Sequence, residues 1–290
     1  GYNHNLRIAE GEFYDMKNLS SDNYPILSPR PKRGAFATPN KPLGISSKDE
    51  LCIVDGEEII IGSDRVNMGL TTDDKKPKTL ISMGAYLIVM PDKKYINTIK
   101  NDDGTYEYGD IEARVSTTTT VNFELSKMDG ARYDNVVVQD TAPTEPNNMD
   151  VWIDTSETPH QLKQYSSTTD MWSAIATTYI KVSATGIGKP FAVNDGATIS
   201  GVEEIPDLNT STIIYAKGDD YIVVPGILDE VKSQNTAVEV KRVMPNMDFI
   251  VESSNRLWGC RYGTALNGEV VNEIYASKLG DFKNWNCFMG

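Results

Sequence analysis

Two histidines are the residues of this chain best suited to general acid–base catalysis, because the imidazole of histidine titrates near neutral pH. His4 lies in a polar N-terminal segment, and His160 follows Pro159 in a predicted loop. Neither is accompanied by a serine or cysteine in a nucleophile motif. The sequence therefore predicts no catalytic residue, and we expect the protein not to be an enzyme.

Paired carboxylates are the second group that could do chemistry, and they occur at Asp73-Asp74, Asp102-Asp103, Glu203-Glu204 and Asp219-Asp220. A glycan-cleaving enzyme needs two carboxylates that face each other across a cleft. Neighbouring residues on a strand point to opposite faces, and residues at a turn point to solvent. We interpret these pairs as solvated hairpin tips that discourage edge-to-edge association of sheets.

Metal and cofactor motifs are not found. Asn101, Asp102, Asp103 and Asp110 offer oxygen ligands of the kind that calcium prefers, but their spacing is not that of a helix–loop–helix calcium site. The segment 186–189 (GIGK) lacks the spacing of a nucleotide-binding loop. The three cysteines are too far apart for a zinc motif. We predict neither a metal site nor a cofactor.

Aromatic residues in a polar segment are the remaining candidates for a binding site. Trp152, Tyr165 and Trp172 could stack on sugar rings. Single aromatic residues of a small β module more often form its core. Carbohydrate contact through these three side chains is therefore kept as one hypothesis beside a structural role.

The composition fits a water-soluble globular protein with an acidic surface. The 290 residues carry a formal net charge of −13, which argues against tight binding to nucleic acid because that requires clustered Lys and Arg. A short basic stretch between Arg30 and Lys48 is interpreted as a solvated loop. No run approaches the roughly 18 apolar residues of a membrane helix, so we expect no membrane insertion.

Short β-branched segments bounded by turn residues predict an all-β protein. Strands at 51–54 and 59–61 flank Asp55-Gly56, and strands at 85–90 and 95–98 flank Pro91-Asp92-Lys93. Further strands are predicted at 111–115 and 118–125, and single helical turns at 171–177 and 229–234.

Three segments, 49–56, 83–92 and 255–262, share a pattern in which a strand enters a turn and a second strand returns. Such repeated hairpins are typical of propeller blades. The fold class predicted is therefore all-β, with propeller-like repeated antiparallel hairpins and an inserted small β-barrel-like domain.

Changes in composition divide the chain into four parts. Residues 1–145 form an N-terminal, propeller-like hairpin part, and residues 146–178 a linker with a small Trp-containing module. Residues 179–243 form the inserted small β domain, and residues 244–290 return to the propeller-like domain. A closed propeller needs more strands than this last part supplies. We expect that it is truncated, or that a neighbouring subunit supplies the missing strands.

The C-terminal part resembles the blade hairpin of phage tail nozzle and head–tail proteins. In those proteins a strand N-R-L-W pairs with a strand that begins the motif I-Y-x-S-x-L-G-D-P-x-N-W. The corresponding segments here are 255–259 (NRLWG), 273–277 (EIYAS) and 279–285 (LGDFKNW). Phe282 stands where such motifs usually have proline, so the turn after Asp281 can differ in conformation from the turn of those proteins.

Other segments resemble parts of phage virion proteins as well. Residues 5–34 are similar to the lead-in that precedes the first blade of phage virion β-propeller proteins, with Gly11, Phe13 and Arg33-Gly34 among the matching positions. Residues 150–172 are similar to a short module of phage tail and fibre proteins, and residues 193–201 to small β-barrel inserts of the same proteins.

These resemblances imply a structural component of a tailed-bacteriophage particle, at the head–tail junction, tail nozzle or tail tip. The implied partners are other phage structural proteins and further copies of the chain in a homo-oligomeric ring. An acidic ring wall would let DNA pass without specific binding. The implied location is the virion, assembled in the bacterial host cytoplasm. A carbohydrate-binding receptor module of the phage tail is the alternative.

Overall fold

The computed structural model describes residues 4, 7, 9, 12, 15, 17–20, 22, 26, 28–32, 34, 35, 37–73, 75, 77–264, 268 and 270–285. The chain divides into two compact units, residues 1–40 and residues 41–290. In the first unit β1 (Leu19–Ser20) pairs antiparallel with β2 (Ser28–Pro29). Several residues of the predicted lead-in segment, among them Gly11, Phe13 and Arg33, lie outside the described residues.

The second unit opens with two antiparallel sheets, each made of four consecutive strands. The first meander contains β3 (Pro42–Ser47), β4 (Leu51–Asp55), β5 (Glu58–Ile61) and β6 (Asp64–Asn67). The second meander contains β7 (Thr79–Met83), β8 (Tyr86–Met90), β9 (Lys94–Asn97) and β10 (Tyr108–Asp110). The two predicted hairpins are confirmed. Gly56 has a φ of 67° in the tight turn between β4 and β5, a conformation that glycine adopts without steric cost.

A large insertion follows the second meander. Its strands are β11 (Ala113–Ser116), β12 (Val121–Ser126), β13 (Val136–Gln139), β14 (Val151–Asp154), β15 (Gln161–Ser166), β16 (Met171–Ala174), β17 (Tyr179–Ser183), β18 (Gly196–Ser200), β19 (Ser211–Ile213), β20 (Ala216–Lys217), β21 (Tyr221–Pro225), β22 (Lys232–Gln234) and β23 (Glu239–Arg242). A 3-10 turn, Pro206–Leu208, lies between β18 and β19.

Two sheets of the insertion share one core and form the inserted domain. Their strand orders are β11-β23-β18-β19 and β20-β21-β17-β12-β22. The core includes Phe123, Ile180, Ile199 and Val240, all almost completely buried. In the described part of the chain the two sheets share no paired strands, so the domain has two layers and no closed barrel is found there. The barrel-like form predicted for this domain is not confirmed.

The inserted domain begins earlier in the chain than the predicted range 179–243. β11 and β12 lie before residue 145, yet β11 pairs with β23 and β12 pairs with both β17 and β22. The Trp module, β13 to β16, forms a separate four-stranded sheet between β12 and β17. The strand pairing therefore spans residues 113–242, and the Trp module is nested within it.

The two predicted helical turns are wrong. Residues 171–174 form β16, in which Trp172 pairs with Tyr165. Residues 232–234 form β22, in which Gln234 pairs with Val121. Pairing with neighbouring strands determines the conformation of these short segments, because the secondary-structure propensity of so few residues is weak. The described residues are all-β apart from the 3-10 turn.

A third meander follows the insertion, with β24 (Phe249–Ser253), β25 (Arg256–Thr264) and β26 (Val270–Ala276) in consecutive order. The second meander packs between the first and the third. Leu87, Val89 and Ile96 face the first meander, whereas Ile88, Met90 and Tyr95 belong to the core shared with the third. The first strands of the three meanders, β3, β7 and β24, lie beside one another.

Candidate interaction surface

The third meander has one covered face, which packs on the second meander. Ile250 on β24, Leu257 on β25 and Tyr275 on β26 belong to this inner face and to the shared core. Leu257 is completely buried. Because successive residues of a strand point to opposite faces, the alternate residues of the same strands form a second face.

The outer face is the opposite face of β24–β26, and it is apolar. Phe249 is 61% exposed and Ile274 is 76% exposed. The ring centroids of Phe249 and Tyr262 lie 6.0 Å apart in a stacked arrangement. From the strand register, the outer face comprises Phe249, Val251, Ser253, Arg256, Trp258, Cys260, Tyr262, Thr264, Val270, Asn272, Ile274 and Ala276. Exposed apolar patches of this extent mark interaction sites more often than chance.

Among its described residues the outer face carries no carboxylate, although the chain has 41 Asp and Glu residues and a net charge of −13. Its one charged side chain is Arg256 at the β24–β25 turn, which donates to the backbone oxygen of Ser277. A solvated strand face in an acidic protein would be expected to carry acids. The inner face, by the same alternation, includes the charged residues Glu252, Arg261 and Glu273.

Sequence analysis did not identify the outer face. The signal was present in β25, where the inward Leu257 is followed by the outward Trp258. Apolar residues at both alternations are typical of a strand that is covered on both faces. That pattern predicts that each face of the sheet is covered by another sheet or another chain. The sequence of the sheet does not show which of its two faces the rest of the chain leaves uncovered.

The segment that follows β26 closes the inner core and coincides with the phage-like motif. Phe282 packs against Tyr86 and Tyr95, with ring centroids 5.0 Å and 5.2 Å apart. Lys283 donates from Nζ to the hydroxyl of Tyr95 at 2.9 Å. Trp285 is buried in the same core and donates to the backbone oxygen of Phe282 at 3.0 Å. The aromatic side chain at position 282 thus anchors the segment on the second meander.

The three aromatics proposed for carbohydrate contact do lie together, on one face of the Trp module. Trp172 contacts Trp152 at 5.5 Å and Tyr165 at 5.4 Å between ring centroids. Trp152 is only 5% exposed, its Nε1 donates to the backbone oxygen of Gln139, and Lys163 lies over its ring at 5.1 Å. Trp172 and Tyr165 are half-buried, so Trp152 supports the cluster and the other two form its accessible part.

The Trp module also contains a strongly shifted carboxylate. Asp154 accepts a hydrogen bond from Lys163 Nζ at 2.7 Å and others from Ser156. These bonds, the one from Lys163 foremost, lower the pKa of Asp154 to about 2. The carboxylate is held in an ion pair with Lys163. Because its pKa lies far below 7, it is unsuited to proton transfer near neutral pH.

A polar cleft lies between the first and second meanders. Asp64 accepts hydrogen bonds from Lys100 Nζ at 2.6 Å and from the hydroxyl of Tyr106 at 2.8 Å. The bond from Lys100, followed by that from Tyr106, lowers the pKa of Asp64. Cys52 borders the cleft but is buried, and burial raises the pKa of its thiol. A buried thiol with a raised pKa is a poor nucleophile.

The remaining residues singled out by their chemistry are dispersed. His160 lies 3.0 Å from Asp229, and His4 is exposed in the first unit. Asp103 accepts hydrogen bonds from Thr105 at its own turn, whereas Asp110 pairs with Lys94. No group of three or more His, Cys, Asp or Glu side chains within the described residues is placed to hold a metal ion.

The described part of the chain contains no helix of the length and apolarity needed to cross a membrane. No protein family, no curated protein and no solved structure matches this chain.

Proposed function

We propose that this chain is a structural component of a tailed-bacteriophage particle, at the head–tail junction, tail nozzle or tail tip, and that it acts by protein–protein assembly without catalysis. The observation that carries the proposal is the third meander, whose inner face is covered and whose outer face is apolar, uncharged except for Arg256, and exposed. A sheet of this kind is suited to contact with other chains.

We further propose that the three meanders are consecutive blades of a propeller. Each is an antiparallel sheet in which the strands follow chain order. The repeated segments 49–56 and 83–92 contain β4 and β8, and segment 255–262 contains most of β25; these are the second strands of the three meanders. The side-by-side position of β3, β7 and β24 agrees with the central strands of a propeller. The inserted domain projects between the second and third blades.

The phage-like motif at 255–285 supports the assignment to a virion. The two strands that carry the motif, β25 and β26, pair with each other, and Trp258 lies opposite Ala276. The following turn returns to the core through Phe282 and Trp285. Both features fit the blade hairpin of phage tail nozzle and head–tail proteins.

Other phage structural proteins and further copies of the chain are the proposed partners. In a homo-oligomeric ring, the net charge of −13 would repel duplex DNA and let it pass without specific binding. Assembly would take place in the host cytoplasm and end in the virion.

Electron microscopy of the purified protein, combined with light scattering after size exclusion, tests the proposal. We expect particles larger than a monomer, with rotational symmetry in class averages. A protein that stays monomeric at every concentration, and that does not join rings or tubes when mixed with phage tail components, would contradict an assembly role.

Carbohydrate binding by a tail receptor module is a second candidate, favoured by the convergence of Trp152, Tyr165 and Trp172 on one face. A glycan array followed by titration of tryptophan fluorescence tests it. Trp172→Ala should remove any binding found, whereas Trp258→Ala, at a half-exposed tryptophan of the third meander, should not. An array without a single binding glycan would end this alternative.

A further inference from the structure

We propose that the outer face of β24–β26 is the contact between two copies of this chain, which meet face to face about a two-fold axis. This inference rests on the proposed function, because it names one partner through which the chain assembles. In a ring assembly, a two-fold contact of this kind would join subunits in pairs, as in dihedral symmetry.

Charge is the first argument for a second copy. Two chains of net charge −13 repel each other at most of their surfaces. None of the described residues of the outer face, on β24, β25 and β26, is Asp or Glu. Two copies can therefore approach here without bringing carboxylates together.

A second argument is that the first two meanders and the aromatic face of the Trp module present no equivalent face among their described residues. The corresponding face of the first meander carries Asp55 and Glu58, both paired with Arg65. The aromatic face of the Trp module carries the Asp154–Lys163 pair. The second meander is covered on both faces. An apolar sheet face of this kind can pack against the same face of another copy without burying a carboxylate.

Strand geometry indicates how strong the contact would be. β25 has nine residues, which span about 30 Å at about 3.3 Å per residue. Three strands about 4.8 Å apart give a width of about 14 Å, and two such faces can pack about 10 Å apart as in a β-sandwich. A flat face of these dimensions covers about 420 Å² per copy, or about 840 Å² for the pair. This is below the roughly 1,200–2,000 Å² of stable specific interfaces and within the range of weak contacts, so we expect a weak, reversible, concentration-dependent dimer.

Cys260 provides a native reporter for this contact. It lies on the outer face of β25, between Phe249 on β24 and Ile274 on β26, its partners in the two strand pairings. Its thiol is free and the residue is partly exposed, whereas Cys52 is buried. A Cys287→Ser background leaves Cys260 as the accessible thiol of residues 41–264.

The experiment compares three variants with their Cys287→Ser parent by sedimentation velocity over a range of concentrations. Ile274→Asp places a charge in the contact and should weaken self-association by at least about tenfold. Val251→Lys, at a second exposed position of the face, should act in the same direction. Ile45→Asp is the matched control, because Ile45 is 67% exposed on a strand of the first meander; it should leave association unchanged.

Labelling of Cys260 with a monofunctional maleimide gives the second readout. We expect labelling to slow as the protein concentration rises, and a bismaleimide with a spacer of about 10 Å to yield covalent dimers that Ile274→Asp suppresses. Oligomers in which Cys260 labels as fast as in the monomer would overturn the inference but leave the proposed assembly function standing. A protein that is monomeric throughout would overturn the inference, and the assembly of the chain with phage tail components would then decide the proposed function separately.

Discussion

Lys78 and Asp92 form a buried ion pair, with 2.5 Å between Lys78 Nζ and a carboxylate oxygen of Asp92. Lys78 immediately precedes β7, and Asp92 lies in the turn between β8 and β9. Thr71 completes the cluster: its backbone N–H donates to Asp92, and its hydroxyl accepts from Lys78. These contacts bind the β6–β7 connection, which joins the first and second meanders, to the β8–β9 turn. Burial opposes ionisation of Asp92, but the hydrogen bonds outweigh it and the pKa of Asp92 is lowered.

Removal of one partner of this pair should be strongly destabilising. Asp92→Asn leaves the ammonium group of Lys78 buried without a counter-charge, and we expect a loss of about 3–5 kcal/mol in the free energy of unfolding. Urea denaturation followed by circular dichroism measures it. The double variant Lys78→Met/Asp92→Asn should lose less than Asp92→Asn alone, because no buried charge remains unpaired.

Asp102→Asn is the control for this pair, because Asp102 is an exposed carboxylate in a turn of the same meander. It should change the stability by less than about 0.5 kcal/mol. Equal effects of the substitutions at Asp92 and Asp102 would show that the buried pair does not hold the meanders together.

The inserted domain should be removable at the boundaries that strand pairing defines. Ala113 and Arg242 are paired neighbours on β11 and β23, so the chain leaves and re-enters the meander part at almost the same place. Replacement of residues 113–242 by two glycines should therefore leave the three meanders folded. Size exclusion and hydrogen exchange of the meander strands measure this.

A shorter deletion of residues 179–243 is the informative comparison. It would leave β11 and β12 without β17, β22 and β23, their partners in the structure, and unpaired strand edges promote aggregation. If the shorter deletion were soluble and the longer one aggregated, the insertion would have been assigned the wrong limits.

Turn chemistry made much of the fold predictable. Asp55-Gly56 and Pro91-Asp92-Lys93 marked two hairpins, and the structure has both. The strand predicted at 111–115 is found only from Ala113 onward, as part of β11; β10 has already ended at Asp110. The chain changes sheets at this point. The partner of Ala113 is Arg242, more than a hundred residues away, and a local pattern carries no information about so distant a pairing.

The candidate surface was harder to predict than the fold. The sequence drew attention to tryptophans in a polar segment, and the structure shows that Trp152 is largely buried. Trp258 has no such polar surroundings, yet it is the tryptophan on the exposed outer face. Exposure depends on which neighbouring sheet is present, and that is a property of the assembled fold.

Phe282 should contribute core stability at the motif position where the phage-like pattern usually has proline. Its ring is buried against Tyr86 and Tyr95. Phe282→Ala should lower the free energy of unfolding by about 3–5 kcal/mol, the usual cost of a large-to-small change at a buried aromatic. Thermal and urea unfolding measure the loss. Leu279→Ala, three residues earlier and 59% exposed, is the control and should change the stability little.

The Asp154–Lys163 pair should make the Trp module sensitive to acid only at very low pH. The pKa of Asp154 is lowered to about 2 in the folded chain, below the value of roughly 3.9 expected in the unfolded chain. A carboxylate with a depressed pKa stabilises the folded state above the unfolded value, and this contribution is lost as the pH falls from about 4 to about 2. Carbon NMR of the Asp154 carboxyl group should therefore show a midpoint near pH 2.

Lys163→Met removes the largest cause of the lowered pKa of Asp154 and should raise the midpoint towards the ordinary value. Asp154→Asn should flatten the dependence of unfolding on pH in this window, whereas Asp140→Asn, at an exposed carboxylate beside the module, should not. An Asp154 midpoint that Lys163→Met leaves in place would mean that the ion pair does not set the pKa.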